Sequence, residues 1–366
     1  MLRVPYVDFP AQFAEEREEL MLLLEGVFSR GDFVGGAAIE ALEQELSAYL
    51  GAAHVVALNS GTDALILGLR ALDIGPGDEV ITPPNSFVAS TAAIVAVGAT
   101  PVFADVREDQ NIDPAAIAAA ITPRTRAIMP VHLAGHPVDL PAILALAQQH
   151  GLAVIEDAAQ AIGTRLDGRM AGTFGDIGCF SAHPLKNLNA AGDAGFLVTG
   201  DAALAARVRL ARSHGMQDRN TVASWGTVSR LDTLQAEILR LRLRHLPSVL
   251  ERRRRNAASY ERLLPSAAFR PPPMPGAESS FHLFVIQVEV RDRLKAYLLE
   301  QGIETAIHYP VPIHLQPAAQ ALGHAKGSFP RCEAQAERIL SLPIHQFLSS
   351  FQVEHVAAQI AGFLGA

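Results

Sequence analysis

Cysteine is scarce in this sequence, and Cys179 and Cys332 are too few for a disulfide framework. We therefore expect a reducing, cytoplasmic setting. Long apolar runs are also missing, because the longest apolar region, Ala92 to Ala104, is interrupted by a glycine and a proline. The N-terminal segment turns acidic early and has no long apolar core. We expect neither a membrane span nor a secretory signal.

Positive charge is also in short supply. The 366 residues include 30 Lys and Arg against 38 Asp and Glu, which gives a net charge of −8. Nucleic acid binding needs a basic surface, so this composition argues against nucleic acid as a principal partner. The run ERRRR from Glu251 to Arg255 resembles a DNA-binding signal in isolation. In an acidic chain we interpret it mainly as a solvated helix face.

Apolar residues, in contrast, are abundant, at 49% of the chain, which is enough for two domains with real cores. Short apolar strands alternate with helices and are joined by Gly/Pro turns. This alternation predicts a mainly parallel α/β sheet flanked by helices. The predicted strands are 55–58, 79–82, 101–103, 127–131, 153–156, 176–181 and 196–199, and the predicted helices are 11–29, 37–50, 63–71, 86–97, 113–121 and 139–150.

The last third of the chain predicts a smaller α+β domain. From Leu231 apolar residues recur at helical spacing, and Pro247 should kink or break that helix. The boundary is therefore placed there, with domains at 1–247 and 248–366 and with some N-terminal residues packing on the second. Beyond a stiff proline-rich linker, the pattern predicts strands at 282–290 and 303–309 and helices near 331–339 and 352–364.

Several polar groups follow the ends of predicted strands, where open α/β sheets bind their ligands. The run Asn59-Ser60-Gly61-Thr62 ends a strand and begins a helix, which favours either an anion site or an ordinary Ser/Thr cap. Phe87 follows a second strand and is either a stacking ring or a core residue. Ser181, at the end of a third strand, is a candidate for hydrogen bonding to a phosphate.

Lys186, Asp157 and Gln160 complete this set. Lys186 lies between two apolar strands, where burial disfavours the ammonium and favours a nucleophilic amine; the alternative is a lysine that extends to a surface carboxylate. Asp157 ends a buried strand, where its partner is either a pyridinium N–H or the first turn of a helix. Gln160 could reach the phenolic oxygen of the same ring. These residues suggest the hypothesis that Lys186 forms a Schiff base with pyridoxal phosphate and that Asp157 keeps the ring nitrogen protonated.

At this point the chain resembles the DegT/DnrJ/EryC1/StrS family of pyridoxal-phosphate sugar aminotransferases, which have the type I fold of such enzymes. The resemblance runs from about Asp32 to the C-terminus, and ten motifs occur in the family's order. They are SGTDAL (60–65), GPGDEVI (75–81), NSFVAS (85–90), GATPVF (98–103), PVHLAG (130–135), IEDAAQA (155–161), HPLKNLN (183–189), GDAGFLVT (192–199), SRLDTLQA (229–236) and IHYPVPIHLQP (307–317).

The resemblance implies roles for the matching residues. Lys186 is implied as the Schiff-base lysine, Asp157 as the partner of the pyridine nitrogen and Gln160 as the residue near the phenolic oxygen. The implied phosphate ligands are Gly61, Thr62 and Ser181, and the implied stacking ring is Phe87.

The resemblance also implies a reaction. Relatives with histidine at the lysine position deoxygenate sugars, so Lys186 favours transamination, with glutamate as the usual donor and a nucleotide-linked 3-keto or 4-keto deoxysugar as acceptor. His308, Tyr309 and His314 are candidates on the substrate side, or else polar residues of the small domain, and Arg230 is a further candidate or a helix-terminus arginine. A sugar dehydratase, or an aminotransferase of a free keto-sugar acid, is the alternative on the same scaffold.

One departure from the family concerns the subunit interface. This fold type builds its sites from two subunits, which implies a homodimer. Many relatives carry an asparagine that reaches the partner's phosphate where this chain has Val228. Either the phosphate loses one ligand, or Ser229 or Arg230 substitutes for it.

Overall fold

The computed structural model describes residues 2–365 of the chain. Its helices are α1 (Phe9–Arg30), α2 (Ala37–Leu50), α3 (Gly61–Ala71), α4 (Val88–Ala96), α5 (Pro114–Ala120), α6 (Leu140–His150), α7 (Ala202–Ala211), α8 (Thr233–Leu263), α9 (Arg291–Glu300), α10 (Pro330–Arg338) and α11 (Ser350–Leu364). Its strands are β1 (His54–Leu58), β2 (Glu79–Thr82), β3 (Thr100–Phe103), β4 (Thr125–Ile128), β5 (Ala153–Asp157), β6 (Arg165–Leu166), β7 (Arg169–Met170), β8 (Ile177–Ser181), β9 (Gly195–Thr199), β10 (Ala277–Glu278), β11 (Phe284–Gln287) and β12 (Ile339–Leu342).

A seven-stranded sheet forms the centre of the fold, in the order β1-β9-β8-β5-β4-β2-β3. β9 is antiparallel to both of its neighbours, and the other pairs are parallel. Since β1 and β8 both run against β9, six of the seven strands point the same way and their carboxyl ends meet at one edge. The predicted, mainly parallel α/β sheet is confirmed, and that shared edge is where the polar residues of the sequence motifs meet.

Each face of this sheet carries its own apolar core. Alternate residues of β1 go to opposite sides: Val55 and Ala57 pack with α2 and α8, whereas Val56 and Leu58 pack with α3, α4 and α7. Helix α7 had no counterpart in the sequence prediction. Both faces are covered by helices, which is the arrangement that strands with continuous apolar runs require.

Helix α8 departs from the prediction. It runs unbroken for 31 residues with Pro247 inside it, so of the two expected outcomes, a kink or a break, the break is wrong. A proline inside a helix costs about 3 kcal/mol, and burial of Leu246 and Leu250 on either side of Pro247 in the core between α8 and the sheet offsets this cost. Further along the same helix, Tyr260 packs in a second core together with Val4 from the N-terminus.

The C-terminal part is built around a two-stranded antiparallel sheet of β11 and β12. A strand was expected at 303–309 but is absent there; Ile303 and Ala306 form only isolated bridges, to Val4 and to Ser341. The pairing strand is instead β12, which follows α10 directly and was not predicted.

Among the described residues, no helix combines the length and the apolar character needed to cross a membrane.

The ERRRR run is not the solvated face that composition suggested. Arg252 forms an ion pair with Glu15 of α1 at 2.7 Å. Arg253 is buried, and Arg254 donates from Nε to the carbonyl oxygen of Ser279 at 2.9 Å. The run therefore joins α8 to two other parts of the chain, because helical spacing turns successive arginines toward different neighbours.

Candidate active site

A cavity of about 460 Å³ opens at the carboxyl edge of the large sheet. It brings together every residue that the sequence predicted for the cofactor, although they are spread over more than a hundred positions. The cavity is lined by Gly61, Thr62, Phe87, Asp157, Gln160, Ser181 and Lys186, together with His308 and Tyr309.

Lys186 lies in the turn between β8 and β9, and its backbone N–H donates to the carbonyl oxygen of His183 at 2.8 Å. Burial lowers the pKa of Lys186 to about 8, and the charge of Asp157 opposes this shift only in part. A neutral amine is therefore accessible near physiological pH, as nucleophilic attack requires. No ion pair joins Lys186 to a surface carboxylate in the described part of the chain, which removes the alternative interpretation.

Asp157 is the last residue of β5 and is 4% exposed. Its Oδ2 accepts a hydrogen bond from the hydroxyl of Ser90 at 2.7 Å, and its Oδ1 accepts one from the N–H of Ala159 at 3.1 Å. Turns rather than a helix follow at 158–163, so Asp157 does not cap a helix. Sequence reasoning missed Ser90, although it lies three residues after Phe87 in the first turn of α4.

Gln160 is held in one orientation. Its Oε1 accepts from the N–H of Ala134 at 2.7 Å, so its Nε2 is the donor that faces Tyr309, 3.4 Å from the phenol oxygen. The ring of Tyr309 lies 5.8 Å from that of Phe87, centroid to centroid, and Phe87 is 53% exposed rather than a core residue. The amide can therefore donate a hydrogen bond to an oxygen of a flat ring placed against Phe87.

The N-terminus of α3, with Gly61, Thr62 and the nearby Ser181, forms a surface suited to an anion, here called the anion cradle. Ser60 is the N-cap, and its hydroxyl accepts from the N–H of Asp63 at 3.1 Å. Within residues 2–365, neither Gly61 nor Thr62 donates its N–H to a backbone carbonyl. A Cβ on Gly61 would lie 2.8 Å from the Cβ of Ser181, so only glycine allows this close approach. The Ser60 cap is present, and the N–H groups of Gly61 and Thr62 remain available to an anion, so the two interpretations of this motif are compatible.

A buried hydrogen-bond network supports the wall behind Asp157. Glu156 is fully buried and accepts hydrogen bonds from the N–H groups of Gly172, Phe174 and Gly175 at 2.6–2.7 Å. His132 accepts from a backbone N–H through Nδ1, so its Nε2 carries the proton and donates to Glu156 at 2.8 Å. This network fixes the end of β5, and therefore the direction of Asp157; two adjacent acids were its only signal in the sequence.

The substrate candidates do not all reach the cavity. His308 lines it, with Nδ1 2.9 Å from the hydroxyl of Ser341. Burial and the charge of Lys186 lower the pKa of His308 to about 4. His314 lies elsewhere, buried against Glu333 at 3.0 Å, and Arg230 is exposed and does not line the cavity.

Val228 is 47% exposed and does not line the cavity either. The next residue, Ser229, is buried and its hydroxyl donates to Asn59 Oδ1 at 3.2 Å, immediately before the anion cradle. Of the two residues considered as substitutes for the family's asparagine, Ser229 is thus already engaged within its own chain.

Among the lining residues that sequence reasoning missed are Tyr6, Arg253 and His282. Arg253 belongs to the ERRRR run, which composition had assigned to solvent. Tyr6 and His282 carried no signal, because they lie in loops that only the packing of the N-terminus and the second core brings to the site.

The cavity combines an exposed aromatic ring, a lysine with a lowered pKa, a buried aspartate and free N–H groups at a helix N-terminus, all at the edge of a mainly parallel α/β sheet. This combination is typical of a pyridoxal-phosphate-dependent transferase of fold type I. Similarity to known proteins gives the family. The chain belongs to the DegT/DnrJ/EryC1/StrS aminotransferase family, whose model matches residues 14–361. It is thus a pyridoxal-phosphate-dependent aminotransferase, and the predicted family, fold class, cofactor and enzyme class are confirmed.

Two relatives illustrate the similarity. The chain is 45% identical over 358 residues to the dTDP-3-amino-3,4,6-trideoxy-alpha-D-glucose transaminase of Streptomyces venezuelae, covering 97% of this chain and 94% of the relative. It is 47% identical over 361 residues to the UDP-N-acetyl-3-dehydro-alpha-D-glucosamine 3-aminotransferase of Acidithiobacillus ferrooxidans, covering 98% and 97%. The crystal structure of S. venezuelae DesV in complex with a ketimine intermediate superimposes over 100% of both chains, with a TM-score of 0.97 and 43% identity.

Proposed function

We propose that this enzyme moves an amino group from glutamate to the keto group of a nucleotide-linked sugar, with carbon 3 as the acceptor position. The observation that carries the proposal is that Lys186, whose pKa is lowered to about 8, lies in the same cavity as Asp157. The position is supported by the relatives, since the names of the S. venezuelae and A. ferrooxidans enzymes both place the amino group at carbon 3. Their nucleotides differ, so the nucleotide is a question for experiment.

The residues of the cavity fit the cofactor. Bound pyridoxal phosphate supplies an aldehyde for the amine and a ring that withdraws electrons from the substrate's reacting carbon. Lys186 would hold the aldehyde, Asp157 the pyridine nitrogen and Gln160 the phenolic oxygen. The ring would lie against Phe87, and the phosphate would lie on the cradle formed by Gly61, Thr62 and Ser181.

In the reaction the chain's own groups carry out the proton transfers. Lys186 would serve as the general base and acid that takes the proton from the donor's Cα and carries it to the carbon that bears the aldehyde. Its depressed pKa keeps the amine basic enough to accept that proton and neutral enough to do so near physiological pH. Asp157, locked by Ser90 and by the N–H of Ala159, keeps the negative charge directed at one position.

Tyr309 and His308 are proposed to contact the acceptor sugar. Burial raises the pKa of Tyr309, so its hydroxyl stays protonated, and His308 stays neutral because its pKa is lowered to about 4. Both would therefore recognise sugar hydroxyls by hydrogen bonds rather than by charge. His314 and Arg230 are not proposed as substrate contacts, since neither lines the cavity.

A two-step spectral titration tests this function. Glutamate added to the purified holoenzyme should remove the visible absorbance of the lysine–cofactor linkage and release 2-oxoglutarate. A panel of dTDP- and UDP-linked 3-keto and 4-keto sugars should then restore that absorbance, and the 3-keto members should act fastest. A spectrum that does not respond to glutamate would contradict the proposal, and restoration by 4-keto sugars alone would reject carbon 3.

We further propose a homodimer in which the partner completes each phosphate site. The rings of Phe28 and Phe33 are exposed and lie edge to face, 5.6 Å apart. The adjacent Val34 forms an isolated backbone β-bridge with Asp232, which is four residues from exposed Val228. Such a contiguous apolar patch typically marks an interface, and Ser229 ties the same loop to the anion cradle.

Sedimentation tests the dimer. The wild-type protein should sediment at twice the chain mass of 39.1 kDa, and Phe33→Arg should shift it toward monomer and weaken cofactor retention. Leu299→Arg, on α9 and also exposed, at 61%, is the matched control and should leave the dimer intact. A wild-type monomer at micromolar concentration would reject the interface.

The two free, buried cysteines support a cytoplasmic setting, which cell fractionation checks.

A further inference from the structure

Arg253 is a buried cation without an anionic partner. It is 8% exposed, and no aspartate or glutamate among residues 2–365 forms an ion pair with it. Its Nη1 donates to the carbonyl oxygens of Phe281 and His282 at 3.1 and 3.4 Å, and its Nε has no partner in that same part of the chain. Several other arginines of α8 do have an acidic partner, as Arg242 has in Glu16 and Arg252 in Glu15. A buried charge of this kind is costly unless something compensates it.

The groups around Arg253 do not compensate it. Tyr6 has a buried hydroxyl that lacks a hydrogen-bond partner among the described residues, and burial raises its pKa, so it is not an anion. Burial, together with the charge of Arg253, lowers the pKa of His345 to about 4. Burial and the charges of Lys186 and Arg253 lower the pKa of His282 well below its usual range. Asp8 also lines the cavity, but its carboxylate caps α1, where Oδ1 accepts from the N–H of Ala11 at 2.9 Å, and it forms no ion pair with Arg253 among the described residues. Tyr6, His282 and His345 are neutral.

The position of Arg253 relates it to one edge of the cofactor. Arg253 binds the carbonyls of Phe281 and His282, and the next residue, Leu283, donates its N–H to the carbonyl oxygen of Ala134 at 3.2 Å. The N–H of Ala134 in turn donates to the side chain of Gln160. Arg253 thus lies on the Gln160 side of the cavity, whereas the anion cradle is built on β1 and β8. The phenolic carbon and the carbon that bears the aldehyde are neighbours on the pyridine ring. With the phenolic oxygen held by Gln160 as proposed, a donor at the neighbouring aldehyde carbon would have its carboxylates on the side of Arg253.

We propose that Arg253 binds a carboxylate of the amino donor. A planar guanidinium with unused N–H groups in a desolvated wall matches a carboxylate with two parallel hydrogen bonds. A donor carboxylate would give Arg253 the anionic partner that it lacks in the described chain, which favours an amino acid over a simple amine as the donor. This inference rests on the proposed function, and it adds the residue that distinguishes the donor.

Separate half-reactions test it. With Arg253→Met, kcat/KM for glutamate in the first half-reaction should fall about 100-fold, mainly through KM. The second half-reaction, started from protein loaded with pyridoxamine phosphate and given a keto-sugar nucleotide, should change little. Arg253→Lys, which keeps the charge but loses the planar fork, should lose about tenfold. It also keeps the test usable if Arg253→Met does not fold.

Arg254→Met is the matched control. Arg254 is the next residue on the same helix and also holds backbone carbonyls, those of Ser279 and Gly163, but it does not line the cavity. It should leave both half-reactions unchanged. Binding of glutarate to the holoenzyme, measured by calorimetry, gives a readout without turnover and should weaken about 100-fold in Arg253→Met alone.

The outcomes separate the two proposals. Equal losses in both half-reactions, a loss confined to the sugar half-reaction, or unchanged glutarate binding would overturn the role of Arg253. A wild-type holoenzyme that does not react with glutamate would instead overturn the proposed function. Donor choice then assigns the carboxylate: a loss with L-alanine identifies the α-carboxylate, and a loss with 4-aminobutyrate identifies the distal one.

Discussion

Lys186→Ala is expected to remove the visible absorbance of the holoenzyme and to lower transamination by about 10⁴-fold. The variant loses the amine that holds the aldehyde and also the base that moves the Cα proton. Absorbance spectroscopy and a coupled assay for 2-oxoglutarate measure the two effects. The fold should survive, because Lys186 lies in a turn and not in either core.

The chain provides its own controls for this prediction, since it contains only three lysines. Lys326 is 79% exposed at its side chain and pairs with Glu337, and Lys295 lies on α9; neither lines the cavity. Lys295→Ala and Lys326→Ala should therefore retain spectrum and activity. Borohydride reduction followed by peptide mapping should label residue 186 alone. A label on either of the other two peptides would refute the assignment.

Asp157→Asn is expected to retain the cofactor but to lower turnover by about 10²- to 10³-fold. The amide has the same shape and can keep the contacts with Ser90 and Ala159. It lacks the charge that favours a protonated ring nitrogen, and a protonated nitrogen is what allows the ring to accept electrons. Steady-state kinetics together with a cofactor-binding titration separate the two effects.

A second carboxylate beside β5 serves as the comparison. Asp176 accepts from the N–H of Val154 at 2.8 Å, near the opposite end of the strand, and does not line the cavity. Asp176→Asn should cost some stability, because a buried N–H loses a charged acceptor, but it should leave kcat within about twofold. Unchanged turnover in Asp157→Asn would mean that the ring nitrogen has another partner.

The parts of the site that the sequence predicted share one property: each follows the end of an apolar strand. Strand periodicity and Gly/Pro turns are local signals, and parallel strands bring their ends to one edge. Gly61, Asp157 and Ser181 could therefore be placed together from the amino-acid pattern alone. Lys186 was placed correctly for the same reason, because it lies in the turn between two such strands.

What the sequence did not predict depends on contacts between distant segments. Arg253 looked like a surface residue because the charge of a run says nothing about which helix face is covered. Ser90 required the three-dimensional distance to Asp157, 67 positions along the chain. Pro247 was expected to kink or break its helix because local propensity was the only information, and packing on both sides of the proline prevented the break.

The unbroken helix α8 has a consequence for how the molecule folds. Leu250, beyond the expected boundary, belongs to the core of the large sheet, whereas Val4, from the opposite end of the chain, belongs to the core of the smaller part. No single cut of the polypeptide would separate the two cores and leave both of them intact. We infer that the two parts melt together as one cooperative unit, and that neither is an autonomous module that evolution could exchange.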